Sequence, residues 1–276
     1  MKHPYISFLK LIVFSSLALV VSCEKESLSG DAEASALPVV EAYLAVGQPI
    51  SVQISKQIPL SSGSVDASGE SFLVSGLAPM VSVDNTLIPL QETAPGIYES
   101  DTTSIVQADK QYQLSFEFNG QTISATTDVP QPPTNFEASR STIIFETNTF
   151  PPSFPDPITL TWEAENAGSF YQIGLQPIEE NPELLEFLGG GSGQERPQIS
   201  VAPQQTNTYE LTARDFSYAG KHQVVLYHVT PEYVSLTQTS ASADNQNITT
   251  PFSNIVGGLG IFTGVGTDTL TVVASN

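Results

Sequence analysis

Tyr112 to Phe118 reads YQLSFEF and alternates without a break. Tyr112, Leu114, Phe116 and Phe118 fall on one face, and Gln113, Ser115 and Glu117 on the other. A period of two is the period of a pleated strand; on a helix the same residues would scatter around the axis. Asn119-Gly120 follows at once and Gln121 to Val129 continues the pattern. Asn-Gly supplies the two positive-φ positions of a type I′ turn, so this stretch predicts a β-hairpin and commits the chain to sheets.

The same signals recur upstream. Ser51 to Ile58 puts Val52 and Ile54 on one face, Met80 to Asp84 and Leu87 to Leu90 flank an Asp84-Asn85 turn, and Gly96-Ile97-Tyr98 opens a further short strand. Strands at this spacing across residues 38–130 predict an N-terminal β-sandwich of immunoglobulin or transthyretin type. Pro130-Gln-Pro-Pro133 then removes ladder donors and predicts an extended, semi-rigid linker.

A second β region is expected over residues 131–246. Ile158, Leu160 and Trp162 alternate with Thr159 and Thr161. Tyr171, Ile173 and Leu175 form the next run, and Tyr209 to Phe216 and His222 to Val229 two more. This order resembles a fibronectin type III domain, with His222 standing where that fold carries its corner tyrosine. Trp162 and the tyrosines are assigned to the core rather than to a sugar-stacking platform. Residues 247–276 form a Gly-rich strand segment packing on the β domains. The fold class is therefore all-β, with two sandwich domains.

Two segments interrupt the second region. Glu146 to Pro157 is too proline-rich for a central strand. In Asn181 to Pro197, Asn181 can cap, Pro182 suits a first helical position and Glu183 favours a helix N-terminus, which predicts a short helical turn through Leu188, stopped by Gly189. Gly189 to Gly193 lacks the Lys-Ser/Thr of a phosphate-binding loop and reads as a surface loop. Phe150 and Phe154 lie among prolines. They are the candidate ligand contacts, on loops that a rigid β scaffold can present.

The N-terminus gives an address. Lys2, His3 and Lys10 precede an uncharged apolar run, Leu11 to Val21. Such a run is too short to cross a hydrocarbon core of roughly 30 Å and fits the apolar region of a secretory signal. Val20-Val21-Ser22-Cys23 resembles a bacterial lipobox, whose cysteine accepts diacylglycerol. Residues 1–22 are then a signal peptide and Cys23 the lipidated first residue, so a membrane is the first partner. Residues 23–37, polar and without period, read as a flexible tether; as a coil of this length it spans roughly 20 Å.

Cys23 is the one cysteine, so no intramolecular disulfide can form and stability must come from buried apolar surface. Removal of the signal peptide leaves seven Lys and Arg against 29 Asp and Glu, a formal net charge of −22. That surface repels phosphate backbones and excludes nucleic acid as a partner.

Candidate chemistry is thin. His222 and His228 lie six apart on one strand face, roughly 20 Å between Cα atoms, too far to share a metal, and are read as lying on a half-exposed strand face. Glu179, Glu180 and Glu183 lack the alternating acidic loop of a calcium site. HExxH, GxSxG, SxxK and CxxC are absent. No catalytic residue, metal or cofactor is expected, and the chain is read as a non-enzyme.

Val39-Val-Glu-Ala-Tyr-Leu44 and Asn254 with Gly258 to Phe262 carry a family resemblance. Both are similar to the first strand and closing motif of domain-of-unknown-function family 4249, lipoproteins of the Bacteroidota, although Ala42 replaces the usual glycine. In the closing motif Gly257, Gly258 and Gly260 permit close backbone approach, while Leu259, Ile261 and Phe262 supply buried area, as in a core strand. The resemblance implies an envelope lipoprotein, often encoded near TonB-dependent outer-membrane receptors. Two functions follow as expectations: a binding accessory of an outer-membrane uptake system, or a structural or adhesive surface lipoprotein. Glu24-Lys25-Glu26 resembles the surface-export signals of these bacteria and implies an outer-membrane anchor facing outward. Asp101-Thr102-Thr103 and Asp268-Thr269-Leu270 match their O-glycosylation sequon, with Thr102 and Thr269 as acceptors.

Overall fold

Sixteen strands and one α-helix are present among the described residues, which in this computed structural model are 36–57, 72–145, 155–185, 199–241 and 252–275. In chain order the strands are β1 (Pro38–Ala45), β2 (Ser51–Lys56), β3 (Met80–Val83), β4 (Thr86–Pro89), β5 (Gln91–Ala94), β6 (Ile97–Glu99), β7 (Lys110–Phe118) and β8 (Gln121–Val129). Then come β9 (Thr134–Ala138), β10 (Thr142–Ile144), β11 (Ile158–Glu163), β12 (Phe170–Pro177), β13 (Ile199–Ser200), β14 (Thr208–Leu211), β15 (Gly220–Val229) and β16 (Leu259–Ser275). Helix α1 (Pro231–Ala241) leads out of β15.

The hairpins form where the turn chemistry places them. β7 and β8 pair from Lys110↔Val129 to Phe118↔Gln121, with Asn119 at φ 51° and Gly120 at φ 75°. Asp84 and Asn85, at φ 47° and 62°, join β3 to β4 in the same way. These four strands make one sheet, in the order β4-β3-β7-β8. A three-stranded sheet, β14-β11-β9, serves the second half of the chain.

Both small sheets pack on one nine-stranded sheet, ordered β13-β12-β15-β16-β1-β2-β6-β5, with β10 also paired to β16. The first core gathers Val40, Leu44, Val52, Ile54, Tyr98, Leu114, Phe116, Ile123 and Phe262, each at most 3 % exposed. The second gathers Ile158, Leu160, Trp162, Ile173, Leu211, Val224, Leu226 and Val272, each at most 4 % exposed. β16 reaches both: Phe262 lies in the first core, Val272 and Ala274 in the second. On one side it pairs parallel with β1 (Val39↔Leu259 to Ala45↔Val265) and then parallel with β10 (Thr142↔Val273 to Ile144↔Ser275). On the other it pairs antiparallel with β15, from Val229↔Val265 to Gly220↔Ala274. The closing motif is thus a core strand. Its entry is pinned by Asn254, whose carboxamide donates to the Phe262 carbonyl (2.8 Å) and accepts from the Phe262 N–H (3.0 Å).

Three local expectations give way. The run Tyr209 to Phe216 is not one strand. β14 ends at Leu211 because the Asp215 carboxylate accepts from the Thr212 N–H (2.6 Å) and hydroxyl (2.9 Å), curling Ala213–Asp215 into a 3₁₀ turn. The helical turn expected from Asn181 is absent over its described part, 181–185. Leu184 instead bridges Tyr218, the Leu185 N–H donates to the Ser217 carbonyl, and Leu185 packs on the second core. Capping is worth about 1 kcal/mol, too little to hold a helix against that pairing. The third is α1, which periodicity did not reveal. It opens on Thr230-Pro231-Glu232, where proline loses nothing by lacking an N–H.

Gly260 sits at φ +104° within β16, and a Cβ there would collide with the Val40 backbone. Gly260→Ala is expected to destabilise the fold by about 1–3 kcal/mol for the strained backbone and about 1–3 more for overpacking. Gly47, at φ +82° with nothing within 4 Å of an added Cβ, is the control. Gly47→Ala should cost only about 1–2 kcal/mol. Urea unfolding of the two variants measures the gap, and equal losses would remove the close approach as its cause.

Candidate functional site

The nine-stranded sheet turns its other face away from the two cores, and register assembles a cleft there. Tyr43 of β1 lies opposite Thr263 of β16. Val265 lies opposite Val229, and Tyr227 of β15 opposite Gln172 of β12. Gly174 lies opposite Val225. Helix α1 adds Tyr233, whose ring meets Tyr43 edge to face at 6.2 Å and 76°. Together they line a cavity of about 390 Å³. At Gly174 an added Cβ would stand 3.2 Å from Cε2 of Tyr227, whose ring leans over that strand.

Buried hydroxyls hold the helix, and hence Tyr233, in place. Thr230 and Thr263 share a hydrogen bond at 2.6 Å. Thr127 of β8 accepts from the Gly264 N–H (3.1 Å) and donates to the Glu232 carboxylate (2.8 Å). The β16 backbone, a β8 hydroxyl and the first turn of α1 are thereby one connected network.

Among the described residues no Asp, Glu, Lys, Arg or His lines this cleft. Burial pushes the Tyr43 phenol above its ordinary range, with Glu41 and Tyr233 adding to it. Burial followed by Tyr233 does the same for Tyr227. Both phenols are neutral donors at physiological pH, and each lies within electrostatic reach of Tyr233. The assignment of all tyrosines to the core is therefore corrected. Tyr98, Tyr112 and Tyr171 are buried there, but Tyr43 is 44 % exposed, and Tyr227 and Tyr233 are half-buried in the cleft.

A second cavity, about 520 Å³, includes Asp109, Asp128, Glu165, Ser169 and His228 in its lining. His228 Nδ1 donates to the Gln131 carbonyl (2.9 Å), Nε2 is 3.6 Å from Glu165, and the ring stacks on Tyr171 at 4.8 Å. His222 bonds the Gly220 carbonyl through Nδ1 (3.1 Å) and meets Phe216 edge-on. Both histidines face inward, 2 % and 4 % exposed, which corrects the half-exposed placement. Their strand face is apolar because Val224 and Leu226 lie between them in the second core. The Glu179 carboxylate accepts from the Lys221 N–H (3.0 Å). Among the described residues no group of three or more His, Cys, Asp or Glu is placed to hold a metal ion.

Thr102 and Thr269 are both exposed. Thr102 sits in a turn closed by the Asp101 carboxylate on the Thr103 N–H (2.8 Å), and Thr269 sits on β16 beside Val225. Cys23, Phe150, Phe154 and the Gly189–Gly193 loop lie outside the described residues.

Burial lowers the His222 pKa below its ordinary 6.5. The unfolded chain therefore binds this proton first as pH falls, and stability declines from about pH 6.5 downward until the folded-state pKa is reached. His222→Gln should flatten the stability-against-pH curve in that window, read by urea midpoints at pH 7.5 and 5.5. An unchanged slope would show that other groups set it.

Among curated proteins no relative matches the sequence. Solved structures with detectable likeness include a two-domain fibronectin type III segment of chicken tenascin, at 9 % identity over 86 % of this chain and 99 % of that one, with a TM-score of 0.25. Another is the FN1–FN3 region of chicken CNTN1, at 13 % identity over 87 % of this chain and 65 % of that one, with a TM-score of 0.24. A family model described as "Domain of unknown function (DUF4249)" matches residues 28–271, most of the chain, and the protein belongs to that family.

Proposed function

We propose that the protein is a lipid-anchored envelope protein that binds its ligand reversibly, as an accessory of an outer-membrane uptake receptor of TonB-dependent type. The tyrosine cleft carries this reading. It is concave, of small-molecule size, and combines apolar walls with a few polar groups, the usual make-up of a binding site. The lipobox-like Val20 to Cys23 supports the anchor, and Glu24-Lys25-Glu26 an outward-facing position. β1, which carries Tyr43, begins directly after the tether, so the anchoring strand is also a wall of the cleft.

Two experiments test the reading. Cys23→Ala should move the protein from the detergent to the aqueous phase in a Triton X-114 partition; continued partition with detergent ends the lipidation claim. In a pull-down from the native outer membrane, Tyr43→Ala should release what the lipidated protein retains. Because Tyr43 is 44 % exposed, the variant should lose no more than about 1 kcal/mol of stability. A stable Tyr43→Ala protein that keeps every partner would favour a structural or adhesive role. Thr102 and Thr269 are proposed as O-glycosylation sites, and an unmodified intact mass from the native host would remove them.

A further inference from the structure

Within the binding reading above, we infer that the cleft takes a neutral, hydroxyl-rich ring: a pyranose unit of a saccharide, its C–H face against the tyrosine rings and its hydroxyls on the carboxamides and phenols. Three observations select this class.

The first is charge. The chain carries a net charge of −20, yet among the described residues no ionised side chain lines this cavity. A charged ligand entering it would shed water without meeting a charged side chain among these lining residues, and Glu41, which acts on Tyr43, would repel an anion further. The second is the polar set. Gln172 and Gln176 each bring a carboxamide, with donor and acceptor a fixed distance apart, and three phenols can both donate and accept. Gln176 already spends one N–H on the side-chain Oε1 of Gln223 at 2.8 Å, which fixes its orientation. The Tyr43, Tyr227 and Tyr233 side chains all line the cleft, and the Tyr43 and Tyr227 phenols are held neutral there by burial. Vicinal hydroxyls match such an alternation of donors and acceptors, whereas a hydrocarbon ligand would strip water from these groups and return nothing. The third is the shape of the walls. Tyr43 and Tyr233 stand at 76° to each other and Tyr227 leans over Gly174, so the cleft offers flat aromatic surface in more than one plane. Val225, Val229 and Val265 make an apolar floor. A ligand with one apolar face and a polar rim fits; the volume, about 390 Å³, lies at the small end of the roughly 300–1,000 Å³ range of small-molecule sites.

The test uses the full chain carrying Cys23→Ala, which is free of membrane. Saturation-transfer NMR is recorded with methyl glycosides of glucose, galactose, mannose and N-acetylglucosamine, and with lactose, cellobiose and maltose. Glucuronate, glucosamine and phenol serve as comparators. At least one neutral sugar should bind, with transfer strongest at the axial C–H protons of one ring face. Its affinity should fall at least tenfold in Tyr43→Ala and in Tyr227→Ala, and less in Tyr43→Phe and Tyr227→Phe, which keep the rings. The charged counterpart of that sugar should bind at least tenfold more weakly than the neutral one. Silence across the neutral panel, binding indifferent to the tyrosine variants, or equal binding of charged sugars overturns the assignment. If the panel is silent while Tyr43→Ala still empties the outer-membrane pull-down, the cleft binds something other than a sugar and the broader reading stands. If both fail, both fall.

Discussion

Everything in this fold hangs on the backbone ladder of β16. It is paired on both edges, by β15 along 265–274 on one side and by β1 along 259–265 and β10 along 273–275 on the other. At about 3.3 Å per residue, a strand of 17 residues is roughly 56 Å long, enough to serve two stacked cores in turn. The glycines along it let other backbone lie close, as Gly260 does against Val40 and Gly264 against Asp128, where an added Cβ would stand 2.5 Å from the carbonyl oxygen. With one cysteine and hence no intramolecular disulfide, the chain sets such pairing and its buried side chains against conformational entropy.

The cleft is a by-product of that ladder. Its walls come from four strands and a helix, and their alignment is fixed by register in β12, β15, β16 and β1. The polar bridge through Thr127 then ties the mouth of the cleft to the four-stranded sheet. A side chain in a surface loop could not be held so well; here Tyr43 and Tyr227 stand on the central strands of the largest sheet, where local opening is least favourable.

Much of the architecture was legible in the residues. The alternation of Tyr112 to Phe118 and the Asn119-Gly120 and Asp84-Asn85 turns state their structure locally, because period and positive φ need no distant partner. The terminal motifs carried the family resemblance, and the family model agrees. Capping signals were less dependable. Asn181-Pro182-Glu183 and Thr230-Pro231-Glu232 are nearly the same message, yet the first is a bend without helix and the second begins a helix. The difference lies in what is nearby: Ser217 to Ala219 offer backbone partners to the first, while Thr263 and Thr127 hold the start of the second. The cleft was not legible at all. β15 buries Val224, Val225 and Leu226 in succession, so alternation no longer reveals which face of the strand looks outward. Nothing in Tyr43, Tyr227 and Tyr233 distinguishes them in sequence from the core tyrosines.

The pairing of β1 with β16 also dictates a timetable. Val39 meets Leu259 across 219 intervening positions, and the first core lacks one of its walls until that meeting occurs. A chain emerging from its N-terminus therefore carries β1 with an open edge through most of its synthesis, and closure waits on a contact of very high sequence separation. Until that contact forms, β1 keeps one unpaired edge, a template on which another strand could pair.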